Sequence, residues 1–279
     1  MTNKLLDLDW QIPKVLVAPI RGKSAKELYD KLPEHLKGGI KYDANTRKVI
    51  GSTPFAVAGF NDILENYGAR TCNLRDLSSP EVMAFAKDKH YIDSRTLVAR
   101  SKIDSDYNKN NSLLKTLYEL AEAELGSVKG PFMIEDFTFA LDSDDKNGYG
   151  LRLVKKPDFK IVQDERLDGK YNRKTFSDVD ELGLPLFDKK GNRTLYARDN
   201  GLSWVYLDRF LGLGSNGRHL ADSLDGGRVV VVSAEGTSPK NLVQNKLKEL
   251  QKQSEDIRNE YFTKLKLLRE EIDKELKVN

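Results

Sequence analysis

Apolar residues along this chain change period several times, and each change marks an element. Residues 1–23 have an extended pattern, with Pro13 and Pro19 bracketing the apolar stretch Val15–Ala18. Behind Ser24, a helix-capping residue type, Leu28, Leu32 and Leu36 recur on one face and predict a short helix. Lys41–Ser52 reads as a hairpin or a strand with a turn. Thr53-Pro54 and Ser79-Pro80 then repeat one grammar: a capping hydroxyl, followed by proline at the first helical position, where its missing N–H has no partner to lose. The first of these helices stops at Gly68, and Arg70–Leu74 and Thr96–Arg100 read as short strands. A third helix covers Ser112–Leu125, where Leu113, Leu114, Leu117, Leu120 and Ala121 form a stripe closed by Gly126. Helices alternating with strands argue an α/β or α+β organisation here.

Beyond Gly126 the period falls to two. Phe137, Phe139 and Leu141 alternate with polar residues in a hairpin whose turn holds Asn147-Gly148, and the segment 157–167 reads as another strand. Residues 168–200 are turn-rich and read as irregular, with Lys189–Asn192 as a hairpin turn. Gly227–Ser233, with four consecutive valines, is the clearest strand of the chain. Ser238-Pro239 opens the last element. From there to Lys277 there is no Gly or Pro, and Val243, Leu247, Leu250, Ile257, Tyr261, Leu265, Leu268, Ile272 and Leu276 step by threes and fours with one gap at Ser254. That pattern predicts a helix of about 40 residues, roughly 60 Å long at ~1.5 Å per residue. A self-associating coiled coil is the expectation, and a helix folded back on its own domain gives the same pattern.

Composition narrows the classes without choosing one. The chain has 279 residues, 39% of them apolar and 32% charged, with 46 Lys+Arg against 43 Asp+Glu and a net charge of +3. A balance so close to neutral provides no broad footprint for nucleic acid. No apolar run approaches the length of a secretory core or a membrane span, so the expectation is a cytoplasmic protein, with virion association as a further option. Three His and one Cys exclude a disulfide scaffold and a zinc finger. Cys72, in RTCNL, agrees with a reducing compartment and reads as a small buried residue.

Few motifs carry chemistry. Gly212, Gly214 and Gly217 match G-x-G-x-x-G, but a dinucleotide site needs a strand before that loop and a full helix after it. The preceding VYLDRFL carries Asp208 and Arg209, and the following RHLADSL allows only about two turns. A nucleotide-binding intracellular enzyme using this loop is therefore the alternative reading. Asp142, Asp144 and Asp145 fail the spacing of a calcium loop, as do Asp104, Asp106 and Asn108, and both sets read as solvated turns or helix caps. His35, His90 and His219 share no ligand spacing. No catalytic group, metal or cofactor is expected.

The informative segment is NGLSWVYLDRFLGLGSNGRHLADSLDGGRVVVV, residues 200–232. Leu202, Val205, Leu207, Leu211, Leu213, Leu220 and Ala221 recur as inward-pointing positions. Interposed among them are Trp204, Tyr206, Asp208, Arg209 and Phe210, then Asn216, Gly217, Arg218 and His219, then Asp222, Leu224 and Asp225. This set lacks the Lys/Glu bias of the rest of the surface. Aromatics and Arg are enriched where proteins bind partners, and Asn adds adaptable polar contacts. The residues alone leave two readings open: a recognition face, or a partly buried strand–loop–strand whose aromatics are core.

The segment resembles the variable region of the target proteins of diversity-generating retroelements. The matching frame is Gly201-Leu202-Ser203, Val205, Leu207, Leu211-x-Leu213-x-Ser215, Leu220-Ala221-x-Ser223, then Gly227-Arg228 and the four valines. In that family scaffold residues alternate with positions rewritten by adenine-directed mutagenic reverse transcription. The resemblance implies a C-type-lectin-like fold, ligand binding rather than catalysis, and the twelve interposed residues above as the ligand-binding set. Two features depart from it: residues 234–279 follow the variable region, which usually ends the chain, and Trp204 is not reachable from the commonest mutable codon. Whether Trp204 is scaffold or variable stays open.

The expected architecture is α+β, with an α/β N-terminal region over 1–128. A C-type-lectin-like, β-rich mixed α/β region with irregular loops follows over 129–236. A long C-terminal α-helix, a coiled coil, covers 237–279. The expected partners are a protein or surface ligand on the variable face and further copies of the chain through 238–277, with no nucleic acid and no membrane span.

Overall fold

The structure is a computed structural model that describes residues 17–106, 108–223 and 225–233, together with Ser254, Arg258, residues 261–265 and Arg269. Residues 17–233 belong to one compact unit and residues 234–279 to a second. In the first unit the chain runs β1 (Val17–Pro19), α1 (Lys23–Lys31), β2 (Lys41–Asp43), β3 (Lys48–Ile50), α2 (Pro54–Glu65), β4 (Ala69–Thr71), α3 (Pro80–Ala86), β5 (Tyr91–Ala99) and α4 (Asn110–Leu125). It continues β6 (Phe132–Leu141), β7 (Leu151–Gln163), β8 (Thr175–Val179), β9 (Pro185–Phe187), β10 (Arg193–Ala197), β11 (Leu202–Leu207), β12 (Leu213–Ser215), β13 (Gly227–Arg228) and β14 (Val230–Ser233).

One large sheet dominates, in the order β7-β6-β5-β11-β12-β10-β8-β9, with β13 paired in parallel to the start of β5. A small sheet, β1-β14-β4, and the β2-β3 hairpin complete the mixed α+β architecture. β5, from the first half of the chain, lies between β6 and β11, so the 128/129 boundary expected from sequence falls inside a single unit. No helix among the described residues is long and apolar enough to cross a membrane.

The sheet is covered on both faces, so its central strands β5 and β11 are buried almost throughout, polar Ser94, Thr96 and Ser203 included. One core cluster packs Leu28 of α1, Phe60 of α2 and Leu117 of α4 with Leu97 of β5, Ile134 of β6 and Leu202 and Trp204 of β11. The other holds Val98, Met133, Val205, Leu207 and Leu213 with Val82 of α3 and Phe176 of β8. Successive side chains of a strand point to opposite faces, so Leu202, Trp204 and Tyr206 look one way and Val205 and Leu207 the other.

Local rules explain most of the elements. Thr53 accepts from the Ala56 N–H and Ser79 from the Val82 N–H, each with proline next in the chain, so both expected caps are in place. α4 carries the expected stripe, with Leu113, Leu114, Leu117 and Ala121 buried, and ends at Gly126, whose φ of 72° suits a residue without Cβ.

Several expectations are corrected. α1 is capped at Gly22 rather than Ser24 and ends at Lys31, because Leu32 precedes Pro33 and is pushed out of the helical region. Residues 151–163 form one strand rather than two; Pro157 is tolerated because β7 is an edge strand. Leu141, expected inside, is exposed at the end of β6. The stretch 168–200 contains β8, β9 and β10, short strands hidden by their turn-rich flanks. The valine strand is divided at Val229: β13 joins the large sheet and β14 the small one.

Most of the expected C-terminal helix lies outside the described residues. Those of it that are described, Ser254, Arg258, residues 261–265 and Arg269, are helical and exposed. Tyr261, Phe262 and Leu265 are among them.

Candidate ligand-binding site

β11, β12 and the loop that follows are held from beneath by buried polar side chains. Arg100, just after β5, donates from its guanidinium to Ser203 Oγ at 2.7 Å, to Ser215 Oγ at 2.9 Å and to the Leu167 carbonyl at 2.6 Å. Burial lowers its pKa to about 10, which still leaves it charged at neutral pH. Asn110, fully buried at the start of α4, donates to the carbonyls of Leu202 and Arg218 and to Asp104. Its own oxygen accepts from the Tyr149 hydroxyl at 2.7 Å. Asp104 is a further correction to the solvated-turn reading. Its side chain is wholly buried, forms an ion pair with Arg198, and accepts from the Leu202 N–H at 3.2 Å. Gly201 sits directly against it with a φ of 72°; a Cβ there would enter the Asp104 carboxylate. Asn108 adds a bond from its amide to the Arg218 carbonyl at 3.0 Å. The role of Asp104, Asn108 and Asn110 is not visible in DSDYNKNN because the β11 and loop groups they hold, Leu202 and Arg218, are more than 90 positions away.

On this base, the frame positions Leu202, Ser203, Val205, Leu207, Leu213, Ser215 and Leu220 are all buried, whereas Ala221 is exposed. The twelve interposed residues divide. Arg209 and Phe210 form the tip of the β11–β12 hairpin, with Phe210 69% exposed and the Arg209 guanidinium 4.9 Å from its ring centre. Asp208 is buried and shapes that tip, accepting from the Phe210 N–H at 2.7 Å and the Gly212 N–H at 2.9 Å. Asn216, Arg218, His219, Asp222 and Asp225 are exposed, and Asp225 lies 3.7 Å from Lys41. Leu224 is outside the described residues.

Trp204, Tyr206, Gly217 and Asp222 come together around a cavity of about 200 Å³. Tyr91 and Asp93 of β5 complete its inner wall, with Ser52 and Gly227 at its side. A bulge makes this arrangement. β11 pairs Trp204 with Leu97 and Tyr206 with Asp93, so β5 spends two more residues between the pairs than β11 does. Ser94 fills the gap by donating to the Val205 carbonyl at 2.7 Å.

Asp93 is 7% exposed and accepts from the Trp204 indole N–H at 2.8 Å. Burial raises its pKa from 3.8 to about 6, against the opposing pull of the Trp204 and Ser52 donors. The Ser52 hydroxyl lies beside the carboxylate but makes no hydrogen bond of normal geometry. The Tyr206 ring is 6.1 Å from that of Tyr91 and 6.0 Å from that of Trp204, and its hydroxyl donates to Asn216 Oδ1 at 2.7 Å.

The glycine motif has a packing role here. A Cβ on Gly214 would fall within the Tyr206 ring, one on Gly217 within the Trp204 indole, and one on Gly212 against Asp208 and Tyr196. None of the three has a positive φ. β12 lies inside the motif, and the described residues from 218 to 233 that follow it contain no helix. Gly214→Ala is therefore expected to displace the Tyr206 ring and cost about 1–3 kcal/mol, as overpacking does. Denaturant unfolding of the variant checks this; unchanged stability would show that the ring is free to move.

No protein-family model, no curated protein and no solved structure matches this chain.

Proposed function

We propose that this is a ligand-binding protein that displays a diversified recognition surface, for a protein or surface ligand, on a C-type-lectin-like scaffold. In this reading the surface is the set of interposed positions over 204–225, rewritten as in the variable proteins of diversity-generating retroelements. The supporting observation is the division within residues 201–223. Leu202, Ser203, Val205, Leu207, Leu213, Ser215 and Leu220 are buried, with Ser203 and Ser215 tied to Arg100 and the Leu202 backbone to Asn110 and Asp104, while Arg209, Phe210, Asn216, Arg218, His219 and Asp222 reach solvent. These six exposed side chains can change without touching the bonds of Arg100, Asn110 and Asp104, whereas Trp204 and Asp208 of the interposed set are buried and bonded. Arg and aromatic residues at its tip are the types that dominate binding energy in interfaces. The C-terminal segment multimerises the protein in this reading, and several faces engaging together would raise weak affinity by about 10²–10⁴-fold.

Selection tests the proposal. A displayed library randomised at Arg209, Phe210, Asn216, Arg218, His219 and Asp222 is panned on an unrelated folded protein. Folded binders with new residues at these positions are the expected outcome. Recovery of folded clones only where the parental residues return would refute it. The neighbouring DNA provides a second reading. A near-copy of the codons for 200–233, differing mainly at adenines and lying beside a reverse transcriptase, is expected.

A further inference from the structure

The cavity behind the recognition face has a composition of its own. Three aromatic rings, Tyr91, Trp204 and Tyr206, surround the buried Asp93 carboxylate, and Asp222 stands at its edge. Among the described residues no lysine, arginine or histidine forms an ion pair with Asp93, and none lines the cavity. An acceptor for the Trp204 indole could be a backbone carbonyl or an amide. A carboxylate in that position costs far more to bury, unless a cation joins it. The faces of Trp and Tyr rings are themselves attractive to cations, most of all where water is excluded.

We propose that this cavity is a cation subsite that takes an organic ammonium group of the ligand, with Asp93 as its counter-ion and Trp204, Tyr206 and Tyr91 as its walls. The proposal rests on the reading of the surrounding face as a ligand-binding surface and states what chemistry the ligand brings to it. A cavity of about 200 Å³ has room for an ammonium head and a short alkyl stem. The stem lies against the rings while the head reaches the carboxylate oxygen left free by Trp204. Asp222 adds attraction at the entrance. Lysine side chains and free alkylamines share this chemistry.

The test is titration of the full chain with n-butylammonium chloride at constant ionic strength. It is followed by calorimetry and by the indole N–H resonance of Trp204. Saturable millimolar binding is expected, with n-butanol, the neutral counterpart, at least roughly tenfold weaker. Asp93→Asn keeps an acceptor for the indole and is expected to weaken butylammonium by roughly tenfold or more, and Tyr206→Leu by a smaller factor. Nα-acetyl-lysine methylamide distinguishes the sources. Binding tighter than butylammonium assigns the subsite to a lysine of a polypeptide, and weaker binding to a free amine.

Absence of a saturable response, equal binding of n-butanol, or unchanged affinity in Asp93→Asn would overturn the proposal. The titration does not involve Arg209, Phe210 or Arg218. Its failure would leave the library selection intact, and failure of the selection would leave the titration intact.

Discussion

Asp93→Asn is expected to make the protein more stable at neutral pH, although it weakens the cation site. Folding raises the Asp93 pKa from 3.8 to about 6, so the folded state holds this proton more tightly than the unfolded state does. The sign follows. Below pH 4 the carboxyl is protonated in both states and costs nothing. As pH rises through about 6 the folded protein must ionise a buried group, and stability falls by about 3 kcal/mol. Asparagine cannot ionise and still accepts from the Trp204 indole. The variant should therefore gain about 2–3 kcal/mol at pH 7–8 and lose that advantage below pH 4. Denaturant unfolding of both proteins across this range measures the difference. A variant less stable than the parent at neutral pH would show that the charge itself holds the fold together. The expected combination, a residue that costs stability and confers binding, is common at functional sites.

Asp104→Ala is expected to cost about 3–5 kcal/mol, because it strands the buried Arg198 guanidinium. It also removes the Asp104 acceptor from the Leu202 N–H, while the Asn110 amide keeps the Leu202 and Arg218 carbonyls. The pair is well out of solvent, with the Asp104 side chain 0% and that of Arg198 15% exposed. Adding Arg198→Met to the same chain should recover part of the loss, since an apolar side chain needs no counter-ion. Chemical denaturation of the two single variants and the double variant gives the coupling. A loss below about 0.5 kcal/mol for Asp104→Ala would place this pair among ordinary surface contacts.

Much of the fold is legible in local patterning. Capped helices with proline at their first position and the leucine stripe of α4 need only nearest neighbours, and each is found where the pattern predicts it; the hairpin around Asn147-Gly148 is found too, with its second strand running on to Gln163. What is not legible depends on distant partners. Alternation alone places Leu202 with Val205 and Leu207 on one inward side, but β11 is covered on both faces, so its apolar residues divide between two cores. The resemblance places Trp204 in the interposed set, yet it lies at the bulge against β5, donates to Asp93 and is 7% exposed. The cavity combines β5 with β11, more than 100 positions apart, and no spacing within either segment announces it. Asp93 lies ahead of the strand expected over Thr96–Arg100, whereas β5 runs from Tyr91 to Ala99 and includes it. The glycines of 212–217 were visible as a motif, but their reason, the rings lying against them, becomes visible only in three dimensions.

Residues 201–225 are proposed to combine a fixed frame with exchangeable side chains. A substitution scan over this segment, read by protease resistance at every position, tests it most directly. Arg209, Phe210, Asn216, Arg218, His219, Asp222 and Asp225 are expected to accept most residues with stability changes within about 0.5 kcal/mol. Leu202, Ser203, Val205, Leu207, Leu213, Ser215 and Leu220 are expected to accept few. Intolerance at Arg209, Phe210 and Arg218 as severe as that at Leu207 would contradict the claim and make the segment ordinary core.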